Sequence, residues 1–135
     1  MFRMIMTCAI ALGTLAGCLG APKPSSAEIA DACLLLKENK SWYRAMRASA
    51  KDWGAPMGFQ LAVIKQESSF DHKARPARQG GFLFIPGKRP SSAYGYAQAL
   101  DSTWDAYKRA SGNGGADRHA FDDSVDFVGW YFAKT

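Results

Sequence analysis

One stretch, residues 56–70, constrains the fold of this chain more than any other, because it reads as a helix with almost no polar face. Pro56 suits the first turn of a helix, where its missing N–H costs nothing and its φ is already set. At about 100° per residue, the apolar side chains spread around nearly the whole circumference, which predicts a buried helix. These side chains are Met57, Phe59, Leu61, Ala62, Val63 and Ile64.

The same helix carries two polar residues on one narrow stripe, Gln60 and Glu67, with Val63 and Ile64 on its flanks. A carboxylate at the end of a buried helix, walled by branched aliphatic side chains, loses part of its hydration and tends to keep its proton. Glu67 could then serve as a general acid. The alternative is a helix-terminal glutamate that simply reaches solvent, and this stretch alone does not decide between the two.

Composition bounds the class of protein. A chain of 135 residues is long enough for one small domain, and a hydrophobic fraction of 47% with four Trp, five Tyr and eight Phe excludes a disordered chain. Seventeen basic against twelve acidic residues give a net charge of +5. This balance favours an anionic partner surface, for which a membrane, a nucleic acid or an acidic polysaccharide would all qualify.

The amino terminus reads as an export signal. Residues 1–17 carry one positive charge, Arg3, followed by an apolar run too short to span a bilayer comfortably. The run ends in Leu-Ala-Gly-Cys at 15–18, which resembles the bacterial lipobox. The resemblance implies cleavage before Cys18 and acylation of that cysteine. Leu19 follows where lipoproteins retained on the inner membrane typically have Asp, so the expected location is the periplasmic face of the outer membrane.

The three cysteines then take different roles. Cys8 leaves with the signal and Cys18 takes the lipid, while residues 18–26 form a lipidated tether to a domain over 27–135. Cys33 remains alone in an oxidising compartment. It is either a small buried side chain or the partner of a cysteine outside this chain.

The tether is followed by two predicted helices. Ser25 and Glu28 have the spacing of a capping box, and the helix that they begin is expected to end near Asn39. A second helix is predicted over 42–53, with one apolar face for the core and Gly54 as a left-handed cap.

Beyond residue 70 the helical pattern breaks. Residues 71–93 hold three prolines and three glycines, which predicts an irregular loop in which 82–85 forms a short strand or a flap. Two more helices are expected to begin near Asp101 and near Asp122. The sequence therefore predicts an all-α fold with at most a small β-hairpin in the 71–93 loop.

Two motifs give this pattern a family resemblance. Glu-Ser-Ser-Phe at 67–70, followed by Ala-Tyr-Gly-Tyr-Ala-Gln-Ala at 93–99, resembles the lytic transglycosylases with the lysozyme-like SLT fold. In that family a Glu-Ser pair ends the central helix, and a Gly-Leu-Met-Gln-like segment lies across the cleft from it. Gly-Tyr-Ala-Gln at 95–98 occupies the second motif, and the similarity covers roughly residues 40–132.

The resemblance implies cleavage of the β-1,4 bond between N-acetylmuramic acid and N-acetylglucosamine in peptidoglycan, without a cofactor. Glu67 would protonate the leaving oxygen and then, ionised, remove the proton of the muramyl C6 hydroxyl, which closes a 1,6-anhydro ring. Ser68 and Gln98 would orient Glu67 or the acetamido groups of the substrate. Their alternative roles are helix back-bonding and a surface amide. The remaining substrate-binding candidates are Tyr94, Gly95 and Tyr96. The two tyrosine rings could stack on sugars or only pack the loop.

The chain departs from the family pattern in two places. The spacing between the two motifs is longer than usual, which makes 71–93 an insertion beside the cleft. The third motif of the family, an Ala-Tyr-Asn-x-Gly-like segment, has no counterpart, since Tyr131 lies too early and has different neighbours. The resemblance therefore implies either a C-terminally truncated chain or a divergent short form.

Other functions stay open beside this one. A hydrolytic lysozyme would need a second carboxylate, for which Asp71 is the nearby candidate. A catalytically inactive glycan-binding lipoprotein is the second alternative. No metal site is expected, because His72 and His119 are far apart in the sequence and lack ligand spacing. The expected partners are glycan strands and a membrane reached through Cys18, with no nucleic acid, and the chain is expected to be a monomer.

Overall fold

The computed structural model describes residues 23–135, which form six helices and one two-stranded antiparallel hairpin. The expected export signal, Cys8 and Cys18 lie outside these residues. In chain order the elements are α1 (Ser26–Ala30), α2 (Ala32–Glu38), α3 (Lys40–Trp53), α4 (Met57–Ser68), β1 (Gln79–Phe82), β2 (Ile85–Lys88), α5 (Asp101–Ser111) and α6 (Phe121–Phe132). The predicted all-α fold with a hairpin in the 71–93 loop is confirmed. Within residues 23–135, no helix is long and apolar enough to cross a membrane.

The first predicted helix is present but divided. The capping box forms as expected, with Glu28 N donating to Ser25 Oγ at 3.3 Å and Ser25 N donating to Glu28 Oε2 at 2.8 Å. The helix does not continue to residue 39, because the Asp31 carboxylate accepts from the amide of Cys33 at 2.8 Å and starts a second helix. Cys33 is exposed and has no disulfide partner among the described residues, so the buried interpretation is wrong.

Helix α3 follows its predicted pattern closely. Trp42, Met46 and Ser49 are buried on one face, and Gly54 ends the helix with a φ of 77°. The Trp42 ring stacks on that of Phe121, with 4.0 Å between centroids and 5° between planes. The apolar face of α3 therefore makes the centre of the core together with α6.

The crossing of α3 and α6 depends on a close backbone approach. A Cβ atom at Gly129 would lie 2.3 Å from Ser49 Oγ, so only glycine fits at the point where the two helices touch. Ser49 Oγ also donates to the carbonyl of Val125 at 2.9 Å, which joins the helices by a buried hydrogen bond. These contacts fix the position of α6, one wall of the groove described below.

A carboxylate on α6 ties two aromatic side chains to the same core. Asp126 accepts from Trp53 Nε1 at 2.6 Å and from the Tyr107 hydroxyl at 2.7 Å. Tyr107 is fully buried, and its burial, reinforced by the hydrogen bond to Asp126, raises its pKa, so the phenol remains a donor at neutral pH.

We expect Asp126→Ala to lower the free energy of unfolding by about 3 kcal/mol, because it leaves the buried Tyr107 hydroxyl and the half-buried Trp53 indole N–H without their charged acceptor. Urea unfolding followed by circular dichroism would measure the loss. Asp122→Ala is the matched control, since Asp122 is an exposed carboxylate on the same helix. It should cost less than about 1 kcal/mol. Equal losses in the two variants would contradict the structural role given to Asp126.

Helix α4 is less buried than its sequence predicts. Only Gln60, Ile64 and Ser68 are buried, while Phe59 is 42% exposed. The prediction of a helix covered on nearly all sides is therefore wrong for the described residues. A helix is covered all round only where neighbours surround it, and α4 packs mainly on α3 and α6. The uncovered side forms part of a groove.

The predicted polar stripe on α4 also divides between two environments. Gln60 is fully buried, and its Nε2 donates to the carbonyls of Met46 at 3.1 Å and Ala55 at 2.9 Å. Glu67, two turns later, is exposed. Gln60 therefore holds α4 against the middle of α3 and the connection that follows it. Glu67 is the polar residue of α4 that lines the groove.

Candidate active site

A groove of about 480 Å³ is lined by α4, α6, the start of α5 and the segment 97–100. Two of the predicted site residues, Glu67 and Gln98, lie on its walls and come from different elements. The other walls are mainly apolar and include Phe59, Val63, Leu100, Thr103, Phe127, Val128, Tyr131 and Phe132. A concave, mostly apolar site with a few polar groups is the usual form of a ligand pocket.

Glu67 stands on the last turn of α4, one turn after Val63, on the groove side of the helix. The expected aliphatic cover is present on one flank only, because Ile64 faces the core and is fully buried. The carboxylate itself is exposed, so the solvent-reaching alternative describes its position and the desolvated one does not. Glu67 therefore lies at the solvent-exposed side of the groove.

The backbone directly after Glu67 adopts a strained conformation. Ser69 and Phe70 both have left-handed φ values, 48° and 61°, which cost L-residues roughly 1–2 kcal/mol each. Phe70 offsets this cost because its side chain is 1% exposed and stacks on Trp42 at 5.7 Å. The end of α4 is thus fixed to the core, which holds the turn bearing Glu67 in place.

Ser68 is buried rather than directed into the groove. Its Oγ donates to the carbonyl of Ile64 at 3.1 Å, which is the helix back-bonding alternative considered from the sequence. It does not belong to the groove lining. Its position suits a residue that fixes the last turn of α4, next to Glu67.

Gln98 is held by its amide nitrogen. Nε2 donates to the carbonyl of Ala74 at 2.8 Å and to that of Gly95 at 2.9 Å. The side chain is half-buried and its backbone φ is 47°, a left-handed value. With both N–H groups committed, Oε1 is the polar atom of Gln98 with no hydrogen bond among the described residues. Gln98 therefore keeps a side-chain acceptor that none of the described residues uses.

Gly95 positions the segment that carries Gln98. Its φ is 75°, and a Cβ atom there would lie 2.1 Å from the carbonyl oxygen of Arg118. Its own N–H donates to the carbonyl of Ala74 at 3.0 Å. The motif glycine is thus required by backbone geometry, and it contributes to the site by placing Gln98 rather than by lining the groove.

The two tyrosines of the motif lie away from the groove. Tyr96 is 2% exposed and packs edge-on against Trp42 at 5.8 Å, and its burial raises the pKa of the phenol to about 12. Tyr94 contacts His119 through its hydroxyl, and the Arg75 guanidinium covers its ring at 3.8 Å. The structure therefore leaves neither ring free to stack on a sugar in this groove, and the loop-packing alternative fits both.

The sequence of this chain matches a known family model. The match is to the transglycosylase SLT domain and extends over residues 6–135. The chain belongs to the transglycosylase SLT domain family. Neither a curated protein nor a solved structure gives a detectable match. Membership of the SLT family supports lytic-transglycosylase-type cleavage of peptidoglycan as the general activity.

Two residues of this SLT domain that line the groove, Tyr131 and Thr103, were not predicted from the sequence as site residues. Tyr131 is 51% exposed and lines the same groove as Glu67, although its position and neighbours differ from those of the tyrosine in the family's third motif. Thr103 lines it from the first turn of α5. A helical period shows which residues share a face, but it does not show whether a neighbour covers that face.

The fold also brings together two histidines that are distant in the sequence. The rings of His72 and His119 lie 6.3 Å apart between centroids, and Asp117 Oδ1 is 2.7 Å from His119 Nδ1. Burial lowers the pKa of His119, and the positive charges near it, including Arg75, lower it further. Within residues 23–135, no group of three His, Cys, Asp or Glu side chains could hold a metal ion.

Proposed function

We propose that this SLT domain is a lytic transglycosylase that cleaves the MurNAc-β-1,4-GlcNAc bond of peptidoglycan and leaves a 1,6-anhydro-MurNAc end. The observation that carries the proposal is the meeting of Glu67 and Gln98 at one groove, from the two motifs of the family. The groove has room for part of a glycan strand, and its apolar walls suit the faces of sugar rings.

In the proposed reaction, one carboxyl group acts twice. Protonated Glu67 gives its proton to the glycosidic oxygen as the C1–O bond breaks, and an oxocarbenium-like centre forms at C1 of the muramyl residue. The Glu67 carboxylate then takes the proton of the C6 hydroxyl, and O6 bonds to C1. No water enters the product, and Glu67 ends the cycle protonated. The chemistry therefore needs no second carboxylate.

Gln98 has the role of an acceptor in this proposal. Its Nε2 is committed to Ala74 and Gly95, and Oε1 has no hydrogen-bond partner among the described residues. It can accept from the N–H of a substrate acetamido group or from the protonated Glu67 carboxyl. Either bond would orient a reacting partner, as proposed for Gln98 from the family motif.

Asp71 gives little support to the hydrolytic alternative. Its Oδ2 lies 3.7 Å from Lys23 Nζ, and its Oδ1 accepts from the backbone N–H of Lys73 at 2.8 Å. It does not line the groove that contains Glu67. A carboxylate placed to activate water would have to face the same bond as the general acid.

The inactive glycan-binding alternative keeps one observation in its favour, which is the exposure of Glu67. A general acid is most effective where solvent is excluded. In the proposal, a bound glycan supplies that exclusion by covering the groove. Because the enzyme and the inactive binding protein would bind the same glycan, a binding measurement cannot distinguish them. A measurement of product formation can.

We further propose that the chain is exported, is acylated at Cys18 and acts as a monomer at the periplasmic face of the outer membrane. The support is the lipobox-like sequence at 15–18 and the residue that follows it. Acyl chains on one cysteine can hold a protein on a bilayer without a spanning helix.

We expect the chain without residues 1–18, shown to be folded by circular dichroism, to release anhydro-muropeptides from purified sacculi. Mass spectrometry would detect products lighter than the reducing muropeptides by one water, because the C6 hydroxyl replaces water as the nucleophile. Reducing ends would contradict the proposal and indicate a hydrolase. The absence of any release would favour the glycan-binding alternative.

A further inference from the structure

The tip of the hairpin presents three consecutive bulky apolar side chains to solvent. Leu83 is 82% exposed, Phe84 is 96% exposed and Ile85 is 73% exposed. Burying a side chain of this kind gains roughly 1.5–3 kcal/mol, none of which is realised here. Leu83 also has a φ of 54°, a value for which hairpin turns favour Gly or Asn. Neither solubility nor turn geometry accounts for this sequence at the tip.

The surroundings of the hairpin hold the whole net charge of the chain. Residues 72–100 contain five of the seventeen basic residues and none of the twelve acidic ones, so the rest of the chain carries twelve of each sign. Lys73 and Lys88 are exposed, and Arg78 Nη1 donates to the carbonyl of Gly87 at 3.0 Å across the hairpin. The apolar tip, residues 83–85, is therefore accompanied by the basic residues Lys73, Arg78 and Lys88, which we call the basic stem.

We propose that the hairpin Gln79–Lys88 docks on the surface of an anionic lipid bilayer, with 83–85 among the headgroups and the basic stem on lipid phosphates. Apolar side chains flanked by Lys and Arg are the usual chemistry of an interfacial membrane contact. A glycan would favour aromatic faces beside hydrogen-bonding groups, whereas this tip combines aliphatic and aromatic side chains. A protein partner would require apolar residues over a wider patch than one turn.

The beginning of the described chain supports the same orientation. Lys23 Nζ lies 3.7 Å from Asp71 Oδ2, at the start of the loop that carries the hairpin. Cys18 precedes Lys23 by five residues, which span at most about 18 Å. A lipid on Cys18 would therefore lie within about 18 Å of Lys23, which contacts the start of the hairpin loop. This proximity depends on the lipidation proposed above, whereas the exposure and charge of the hairpin do not.

Docking of the hairpin would also fix the orientation of the groove relative to the membrane. The carbonyl of Ala74, at the base of the loop, accepts from Gly95 N at 3.0 Å and from Gln98 Nε2 at 2.8 Å. The hairpin loop and the groove wall are thus joined at one backbone atom. Contact of 83–85 with the bilayer would hold the groove at a fixed orientation relative to the membrane.

The test is photo-crosslinking of the full chain reconstituted from detergent into vesicles of phosphatidylcholine and phosphatidylglycerol. p-Benzoylphenylalanine replaces Phe84 in one sample and Tyr43 in the other. Tyr43 is the matched control, because it is an exposed aromatic residue on α3, at 43% exposure, and lines neither the groove nor the hairpin. We expect crosslinks to lipid at position 84 to exceed those at 43 by about tenfold, the factor that burial of one aromatic side chain supplies.

The basic stem is tested by the double substitution Lys73→Glu and Lys88→Glu. Both side chains are exposed, and neither belongs to the proposed catalytic machinery. We expect crosslinking at 84 to fall by about tenfold or more, because each basic residue near an anionic surface contributes roughly 1 kcal/mol. Vesicles of phosphatidylcholine alone should give a similarly low yield.

Three outcomes would overturn the docking proposal. They are equal lipid labelling at positions 84 and 43, equal labelling in zwitterionic and anionic vesicles, and crosslinks from 84 to glycan or protein instead of lipid when the same variants are irradiated in intact cells. The experiment involves no turnover. Its failure would leave the release of anhydro-muropeptides untouched, and a failure of that release would leave the crosslinking result untouched.

Discussion

Replacing Glu67 with glutamine is expected to lower the release of anhydro-muropeptides by about a thousandfold or more, because one side chain supplies both the general acid and the general base. Glutamine keeps the size and the hydrogen-bonding outline of the side chain, but it can neither give nor take a proton at neutral pH. Both halves of the proposed reaction stop together. Mass spectrometry of products from purified sacculi would measure the loss.

The same variant should fold as well as the parent chain. Glu67 is exposed, and its carboxylate takes part in none of the hydrogen bonds or ion pairs found among residues 23–135. Surface substitutions away from such contacts usually change stability by less than about 0.5 kcal/mol. The helical signal and the thermal midpoint of Glu67→Gln should therefore match those of the parent.

Asp71→Asn is the matched control for this experiment. It makes the same chemical change four residues later, and the asparagine side chain can still accept from the Lys73 amide as Asp71 does. We expect it to retain activity within a few-fold of the parent. A folded Glu67→Gln variant that still releases anhydro products would refute the catalytic assignment. Loss of activity in Asp71→Asn alone would point to the hydrolytic alternative.

The second large effect is expected at Gly95. In Gly95→Ala, the new Cβ would lie 2.1 Å from the carbonyl oxygen of Arg118, at a φ of 75° that already disfavours an L-residue. Backbone atoms cannot move aside as the end of a side chain can, so the 95–98 segment must shift. We expect a loss of more than about 4 kcal/mol in the free energy of unfolding, which is at the extreme for single substitutions.

Gly112→Ala is the control that measures the cost of the left-handed backbone conformation without a steric clash. Gly112 has nearly the same φ, 72°, but a Cβ atom there would meet nothing within 4 Å. Its expected cost is therefore only the left-handed penalty of roughly 1–2 kcal/mol. Urea unfolding of both variants would measure the difference. Equal losses would contradict the close approach of Gly95 to Arg118.

The sequence predicted best the features that depend on near neighbours in the chain. The capping box at Ser25, the buried face of α3 and the left-handed end at Gly54 all follow from residues within one or two turns, and the structure contains each of them. Helix α5 begins at Asp101, as expected, for the same reason.

Features that depend on packing between distant segments were predicted less well. The apolar circumference of α4 gave no information on which sides would find a neighbour, so the exposure of Phe59 was missed. Tyr96 reads as a substrate contact because it stands inside a family motif, yet it packs against Trp42, which is more than fifty residues away. Burial of such a residue is settled by tertiary contacts, and motif spacing does not contain them.

The carbonyl of Ala74, which connects the hairpin loop to the groove wall, also limits how the sequence of this domain can vary. The acceptor of the hydrogen bonds from Gly95 N and Gln98 Nε2 is the backbone carbonyl oxygen of Ala74. Every residue type provides such an oxygen. The chain leading to it is closed by successive turns, with Asp71 N bonded to Ser68 O and Ala74 N bonded to Asp71 O, both at 3.1 Å. The groove wall should therefore tolerate changes of side chain at 74 and of hairpin length beyond it. A single inserted or deleted residue between α4 and Ala74 would move the acceptor away from Gln98, so this short connection is subject to a constraint on length rather than on composition.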